Sequence, residues 1–230
     1  MEPPTKRGNV VGAVVLEQHE LFLSLLRIVE LERNPVHGSF DAAHLREINR
    51  RIFQDASGAA RRGIGEYRPP VPEGKDWLKA RKLGTVEDLV YVAYARMDEY
   101  AIARLDKVLA GANPDGFRGL GISEFVQRFA ALYAELDYIH PFSDGNSRTL
   151  RTFTKQLAKK AGYDVPWEQF SRDATGRDLL YIARDLSVNR LAMPNIQGER
   201  TKDRVASTME QLAGNKDLAA LLRDIVRPSR

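Results

Sequence analysis

The chain of 230 residues has no cysteine. That excludes a disulfide framework and any thiolate metal site, and it fits a reducing compartment such as the cytosol. No apolar run approaches the roughly 18 residues that a membrane-spanning helix needs. Val10 to Leu16 follows Lys6 and Arg7 and faintly imitates a signal peptide. Glu17 and Glu20 follow at once without a small-residue cleavage site, so a buried helix start is the better reading. Strong charge of one sign is also absent, because the formal net charge is only +4. The basic clusters Arg46, Arg50, Arg51 and Lys79, Arg81, Lys82 are interleaved with acids and read as solvated helix faces, so no nucleic-acid or membrane partner is expected.

Helical periodicity is what the chain does have. Val14 to Glu32 reads as a helix ending before Asn34-Pro35, and Asp41 as the N-cap of a second helix running through Ile52 and Phe53. Residues 56–76 are rich in glycine and proline. Gly63 to Pro70 therefore reads as an exposed, partly extended loop or short hairpin near residues 60–76. A helix is predicted from Val86 to Ala110, then a loop from Gly111 to Gly121. Ile122, Phe125, Val126, Phe129, Leu132, Tyr133 and Leu136 follow i, i+3, i+4, i+7 spacing, which predicts a buried amphipathic helix that Pro141 terminates near Ile139. A further helix starts after Gly145-Asn146 and stops at Gly162, and two more are predicted near 176–188 and 201–226. The expected fold class is all-α, a helix bundle with one flap-like insertion. It forms a single domain over 1–230 with a core of about 40–190 and a C-terminal helical extension over 191–230.

The chemistry concentrates in His140-Pro141-Phe142-Ser143-Asp144-Gly145-Asn146-Ser147-Arg148-Thr149-Leu150-Arg151. A turn between two helices presents a helix N-terminus, whose free N–H groups attract anions. Gly145 removes bulk where a phosphate would approach. Asn146 can cap the new helix or donate its amide to a phosphoryl oxygen. Arg148 and Arg151 share one helix face and suit outer phosphates. Asp144 offers a hard carboxylate for Mg²⁺. His140, neutral near pH 7, can accept a proton from a hydroxyl. Each residue taken singly has a structural reading: a satisfied histidine, a turn aspartate, an N-cap, surface arginines. An i, i+4 metal pair between His140 and Asp144 is excluded, because Pro141 and Gly145 break the helix it needs.

This run resembles the signature of the Fic family, H-P-F-x-[D/E]-G-N-G-R-x-x-R, with Ser147 standing where the family has its second glycine. The likeness covers about residues 60–165. It implies an enzyme, a protein adenylyltransferase that moves AMP from ATP to a Tyr, Thr or Ser hydroxyl of a target protein with release of pyrophosphate. Carried over by position, His140 is the base and Asp144 the Mg²⁺ ligand. Gly145, Asn146 and the Ser147 backbone surround the α-phosphate, and Arg148, assisted by Arg151, holds the outer phosphates. Gly65, Tyr67 and Arg68 fall in the segment similar to the family's target-positioning flap. A side chain at Ser147 either crowds the phosphates or adds a hydroxyl donor, and activity is expected to survive, weakened or with altered nucleotide preference. The family's inhibitory pattern [S/T]-x-x-x-E-[G/N] is missing, so the resemblance leaves two possibilities. A small antitoxin chain supplies a Glu to Arg151, or the protein is an uninhibited effector, cytoplasmic or delivered into a host cell. The alternatives are a non-catalytic nucleotide- or protein-binding module, or a transferase of the same type with a phosphoryl or phosphocholine donor.

Overall fold

The computed structural model describes residues 7–57 and 63–229, with side chains from residue 18 onward. Eight α-helices are found among the described residues: α1 (Arg7–Arg33), α2 (Ala42–Phe53), α3 (Glu99–Ala110), α4 (Ile122–Ile139), α5 (Asn146–Ala161), α6 (Ala174–Ala192), α7 (Glu199–Gln211) and α8 (Leu218–Ile225). Two short antiparallel pairs complete it, β1 (Trp77–Lys82) with β2 (Leu89–Tyr94) and β3 (Tyr163–Asp164) with β4 (Arg227–Pro228).

Local signals set several boundaries. Asp41 caps α2 by accepting from the His44 N–H at 2.9 Å, and Asp98, Asp173 and Asp217 cap α3, α6 and α8 in the same way. Gly162 ends α5 at φ 94°, a left-handed conformation that suits glycine. Helix α4 is the axis of the molecule. Phe125, Phe129, Tyr133 and Leu136 are fully buried along it, each worth about 1.5–3 kcal/mol of burial. Tyr163 stacks on Phe125 at 3.8 Å between centroids, and Trp167 lies 4.9 Å from Tyr133.

Three expectations are corrected. The hairpin is not near residues 60–76. The described part of that segment, 63–76, holds no strand, because Pro69, Pro70 and Pro72 cannot donate to a ladder; residues 58–62 lie outside the described residues. The hairpin spans residues 77–94, and the helix predicted from Val86 begins only at Glu99. Leu89 to Tyr94 is an apolar run rich in valine and tyrosine, which fits a buried strand as well as a helix. The helix expected over 201–226 is two helices, interrupted around Gly214 at φ 84°. The first helix is described from Arg7 onward; the side chains of residues 7–17, where a buried start was expected, lie outside those described.

Strand β2 is the inner strand. Asn189 of α6 accepts from the Ala93 N–H and donates to the Tyr91 carbonyl, and Thr208 of α7 accepts from the Tyr91 N–H. These side chains satisfy the edge of β2 and leave β1 as the outer strand, laid across the turn between α4 and α5.

Candidate active site

Helix α4 ends at a residue in the left-handed region, His140 at φ 49° and ψ 59°. Pro141 disfavours a right-handed helical conformation for the residue before it. A non-glycine residue there costs about 1–2 kcal/mol and persists only where its surroundings determine it. Arg68 supplies that determination. It is buried and donates to the carbonyls of His140 (2.8 Å), Ile139 (3.3 Å) and Ala95, while its own N–H donates to the Pro141 carbonyl at 2.8 Å. Its guanidinium lies 3.4 Å from the Trp77 ring centroid, and burial lowers its pKa to about 9. A cation at the carbonyl end of α4 also complements the helix dipole.

The loop beyond is stapled by Asn146. Its amide accepts from the Phe142 N–H at 2.9 Å and donates to the Phe142 carbonyl at 2.6 Å. Asn146 therefore ties the loop to itself; its side chain does not cap α5. Gly145 takes φ 73°, and a Cβ there would meet Phe53 Cζ at 2.1 Å, so only glycine fits. The N–H groups of Asn146, Ser147 and Arg148 open α5 without partners among the described residues. Asp144 is exposed, and its Oδ1 accepts from the Gly145 N–H at 2.6 Å.

The imidazole of His140 is enclosed. The Tyr94 ring lies 3.9 Å away, and Trp77 meets the imidazole edge-on at 5.6 Å. Nδ1 is 3.3 Å from the Asp137 carbonyl and 3.5 Å from its carboxylate. Nε2 is 3.1 Å from Lys79 Nζ. Burial, opposed by Asp137 and reinforced by Lys79, lowers the pKa of His140 to about 4, so the ring is neutral near pH 7.

A buried charge network lies behind it. Arg184 grips Asp137 with two hydrogen bonds of 2.9 and 3.0 Å and donates to Ser147 Oγ at 3.1 Å. Burial alone would raise Asp137, but Arg184 and His140 hold it well below the usual carboxylate range. Arg81 Nε stands 3.0 Å from Asp185 Oδ2, poorly aligned for a hydrogen bond, and burial lifts Asp185 to about 7 against the pull of Arg81 and Arg184.

The two signature arginines diverge. Arg148 reaches α1, donating to Ser24 Oγ at 2.7 Å and stacking 4.6 Å from Phe53. Arg151 donates to the Ser147 carbonyl at 3.2 Å. Neither forms an ion pair with a carboxylate among the described residues, and burial lowers the pKa of both.

His140, Asp144, Gly145, Asn146, Ser147, Arg148 and Arg151 thus sit around one turn. Gly65, Tyr67 and Arg68 do not form a flap. Gly65 accepts from Arg46 and donates to Asn49, Tyr67 packs 6.0 Å from Phe142, and Arg68 is buried under the turn. They support the loop from beneath, and β1–β2 takes the covering place. Lys79 and Arg81, expected on a solvated helix face, are half-buried on β1. Asp137, Arg184, Trp77 and Tyr94 join the site without being expected from the signature run. Asp137 had a signal, being an acidic residue three positions before His140 in an otherwise apolar stripe. Lys79 and Arg184 had none, since strand register and packing bring them in.

A helical bundle with a hairpin laid over a glycine-bearing turn and a buried histidine defines the class. Residues 39–158 match the model of the Fic/DOC family, and the chain belongs to that family. It is 31% identical over 164 residues to the protein adenylyltransferase VbhT of Bartonella schoenbuchensis, covering 70% of this chain but 30% of that protein. It is 27% identical over 171 residues to the probable protein adenylyltransferase Fic of Escherichia coli, covering 73% and 74%. The ADP-bound N-terminal Fic domain of a Bartonella quintana effector protein shares the fold, with a TM-score of 0.58 at 20% identity over 94% of this chain and 86% of that one. The AMPPNP-bound BepC protein of Bartonella tribocorum superposes with a TM-score of 0.57 at 18% identity, covering 94% and 88%. No helix among the described residues is long and apolar enough to cross a membrane.

Proposed function

We propose that this chain is a protein adenylyltransferase that transfers AMP from ATP to a hydroxyl side chain of a target protein. The observation that carries the reading is the turn itself. A neutral histidine, held by Asp137 and Arg68, stands in the same turn as three N–H groups at the start of α5 that have no partner among the described residues. The relatives named adenylyltransferase and the nucleotide-bound neighbours point the same way.

In this reading the N–H groups of α5 receive the α-phosphate, and Arg148 and Arg151 take the outer phosphates. His140 Nε2 accepts the proton of the target hydroxyl. The hydroxyl oxygen bonds to the α-phosphorus as the bond from that phosphorus to the bridging oxygen breaks, and pyrophosphate leaves with the electron pair. Asp144 fits a magnesium ligand. It is exposed and in no ion pair among the described residues, and one of its oxygens is not engaged by Gly145. No cluster of three metal-binding side chains exists among the described residues, which suits an ion held by one carboxylate with phosphates and water. When bound, Mg²⁺ supplies charge to offset the departing phosphates. The outer strand β1 offers an edge on which an extended target segment pairs, bringing its hydroxyl to His140. Arg151 is where a carboxylate from an antitoxin chain would compete with the nucleotide.

ATP labelled at the α-phosphate, incubated with the chain and a lysate of its source, tests this. Label is expected on protein, and His140→Ala is expected to lower incorporation by about 10²–10⁴-fold while nucleotide binding survives. Retained incorporation in that variant removes His140 from the base role, and binding without any incorporation by the wild type favours a non-catalytic module.

A further inference from the structure

Strand β1 turns alternate side chains toward the site. Trp77, Lys79 and Arg81 are half-buried, and of the intervening residues Leu78 is half-buried and packs on the core while Ala80 and Lys82 are exposed. Lys79 stands at the centre of this row. Its ammonium is 3.1 Å from His140 Nε2 and lies 5.0 and 5.7 Å from the Trp77 and Tyr94 ring centroids. An ammonium has donors and no lone pair. Nε2 must therefore be the acceptor, and the proton of the neutral ring sits on Nδ1, facing the Asp137 carbonyl and carboxylate. That is the tautomer a general base at Nε2 requires. The same contact also occupies the nitrogen, so no hydroxyl proton can be taken until the ammonium leaves.

We propose that Lys79 is a nucleotide-released cap on His140, a positioning residue that holds Nε2 as an acceptor and moves to the phosphates when ATP enters. The inference rests on the transfer reaction proposed above. The driving force is plain. Lys79 is half-buried, and its hydrogen-bond partner among the described residues is a neutral ring nitrogen. A phosphoryl oxygen is a charged acceptor and makes the stronger bond. The other groups facing the imidazole would stay in place: Asp137 backed by Arg184 at Nδ1, the Tyr94 ring beside it and the Trp77 ring edge-on, and Arg68 on its carbonyl. The base is thereby exposed only when there is a phosphorus to attack.

Nitrogen-15 NMR of His140 in the full chain tests the cap. In the nucleotide-free wild type, Nε2 is expected as a hydrogen-bonded acceptor with the proton on Nδ1. Lys79→Met should move the Nε2 resonance toward that of an unbonded acceptor and raise the titration midpoint of His140 by about one pH unit, because a like charge is removed. In the wild type, adding magnesium and a non-hydrolysable ATP analogue should carry the Nε2 resonance to the Lys79→Met position. An unchanged Nε2 resonance in a folded Lys79→Met variant overturns the cap. If Lys79→Met does not fold, Lys79→Gln reads the lost charge through the same rise in midpoint, and no rise overturns the cap. Analogue that shifts the α5 amides but leaves Nε2 in place overturns the release and leaves the transfer reaction standing. Analogue that binds nowhere on the chain overturns the release and the transfer reaction together.

Discussion

The two ends of the signature turn are built on opposite plans. At one end His140 is buried, twisted into a left-handed backbone and touched on every side: Arg68 on its carbonyl, Tyr94 and Trp77 on its ring, Asp137 and Lys79 on its nitrogens. At the other end Asp144 is exposed and answers to one backbone N–H. In the proposed transfer reaction the difference separates a proton acceptor, whose orientation and tautomer are set in advance, from a carboxylate that would meet a metal and phosphates and stays solvated until then.

Substituting each end sharpens the contrast. Asp137→Ala removes the partner of a fully buried guanidinium and is expected to destabilise the fold by about 3–5 kcal/mol in urea denaturation. Asp144→Ala, at the open end, should change stability by no more than about 0.5 kcal/mol while raising the magnesium concentration that transfer requires. Equal stability losses at the two positions would erase the distinction.

Acid probes the buried end further, and two groups pull in opposite senses. His140 has its folded pKa depressed to about 4 from an ordinary 6.5, so the stability tied to its neutral ring is present above 6.5 and is lost as pH falls toward 4. Asp185 has its folded pKa raised to about 7 from 3.8, so its contribution is complete below 3.8 and is lost as pH rises through 7. The two offset each other between pH 7 and 4. Asp185→Asn removes the second, and its stability should fall on acidification over that range more steeply than that of the wild type, by on the order of 2 kcal/mol. Parallel curves would mean that Asp185 titrates normally.

Midway along the turn, Gly145→Ala drives a Cβ into the Phe53 ring at a positive φ, and a loss of about 1–3 kcal/mol is expected in the same denaturation assay. Among the substitutions inside the network, the smallest effect is expected at Ser147→Gly. It removes an acceptor from Arg184, which keeps both of its bonds to Asp137, so stability should fall by under about 1 kcal/mol. A larger loss would make Ser147 a structural member of the network and not a tolerated departure from the family pattern.

How much of this was legible follows from the range of each signal. Helices α2, α4 and α5 could be bounded in advance because Asp41, Pro141 and Gly162 act within a turn of themselves. The residues of the turn could be named because they lie within twelve consecutive positions. The hairpin could not. Lys79, Arg81 and Lys82 conceal the alternation of β1, and Leu89 to Tyr94 is buried enough to lose the period of two that marks a half-exposed strand. The place of Gly65, Tyr67 and Arg68 is not legible either, because proline and glycine mark a loop without saying whether it lies above the site or below it.

The order of side chains from His140 to Arg151 thus carried the chemistry of the turn and its family, because caps, breakers and signature spacing are local and need no distant partner. Which groups surround His140 was decided by tertiary structure alone. Arg68, Lys79 and Arg184 come from a loop, a strand and a helix separated from His140 by 72, 61 and 44 positions, the last being 184 − 140. Arg68 and Lys79 meet it, and Arg184 reaches it through Asp137, only because burying α4 draws those elements together, and no local pattern encodes a contact that packing creates.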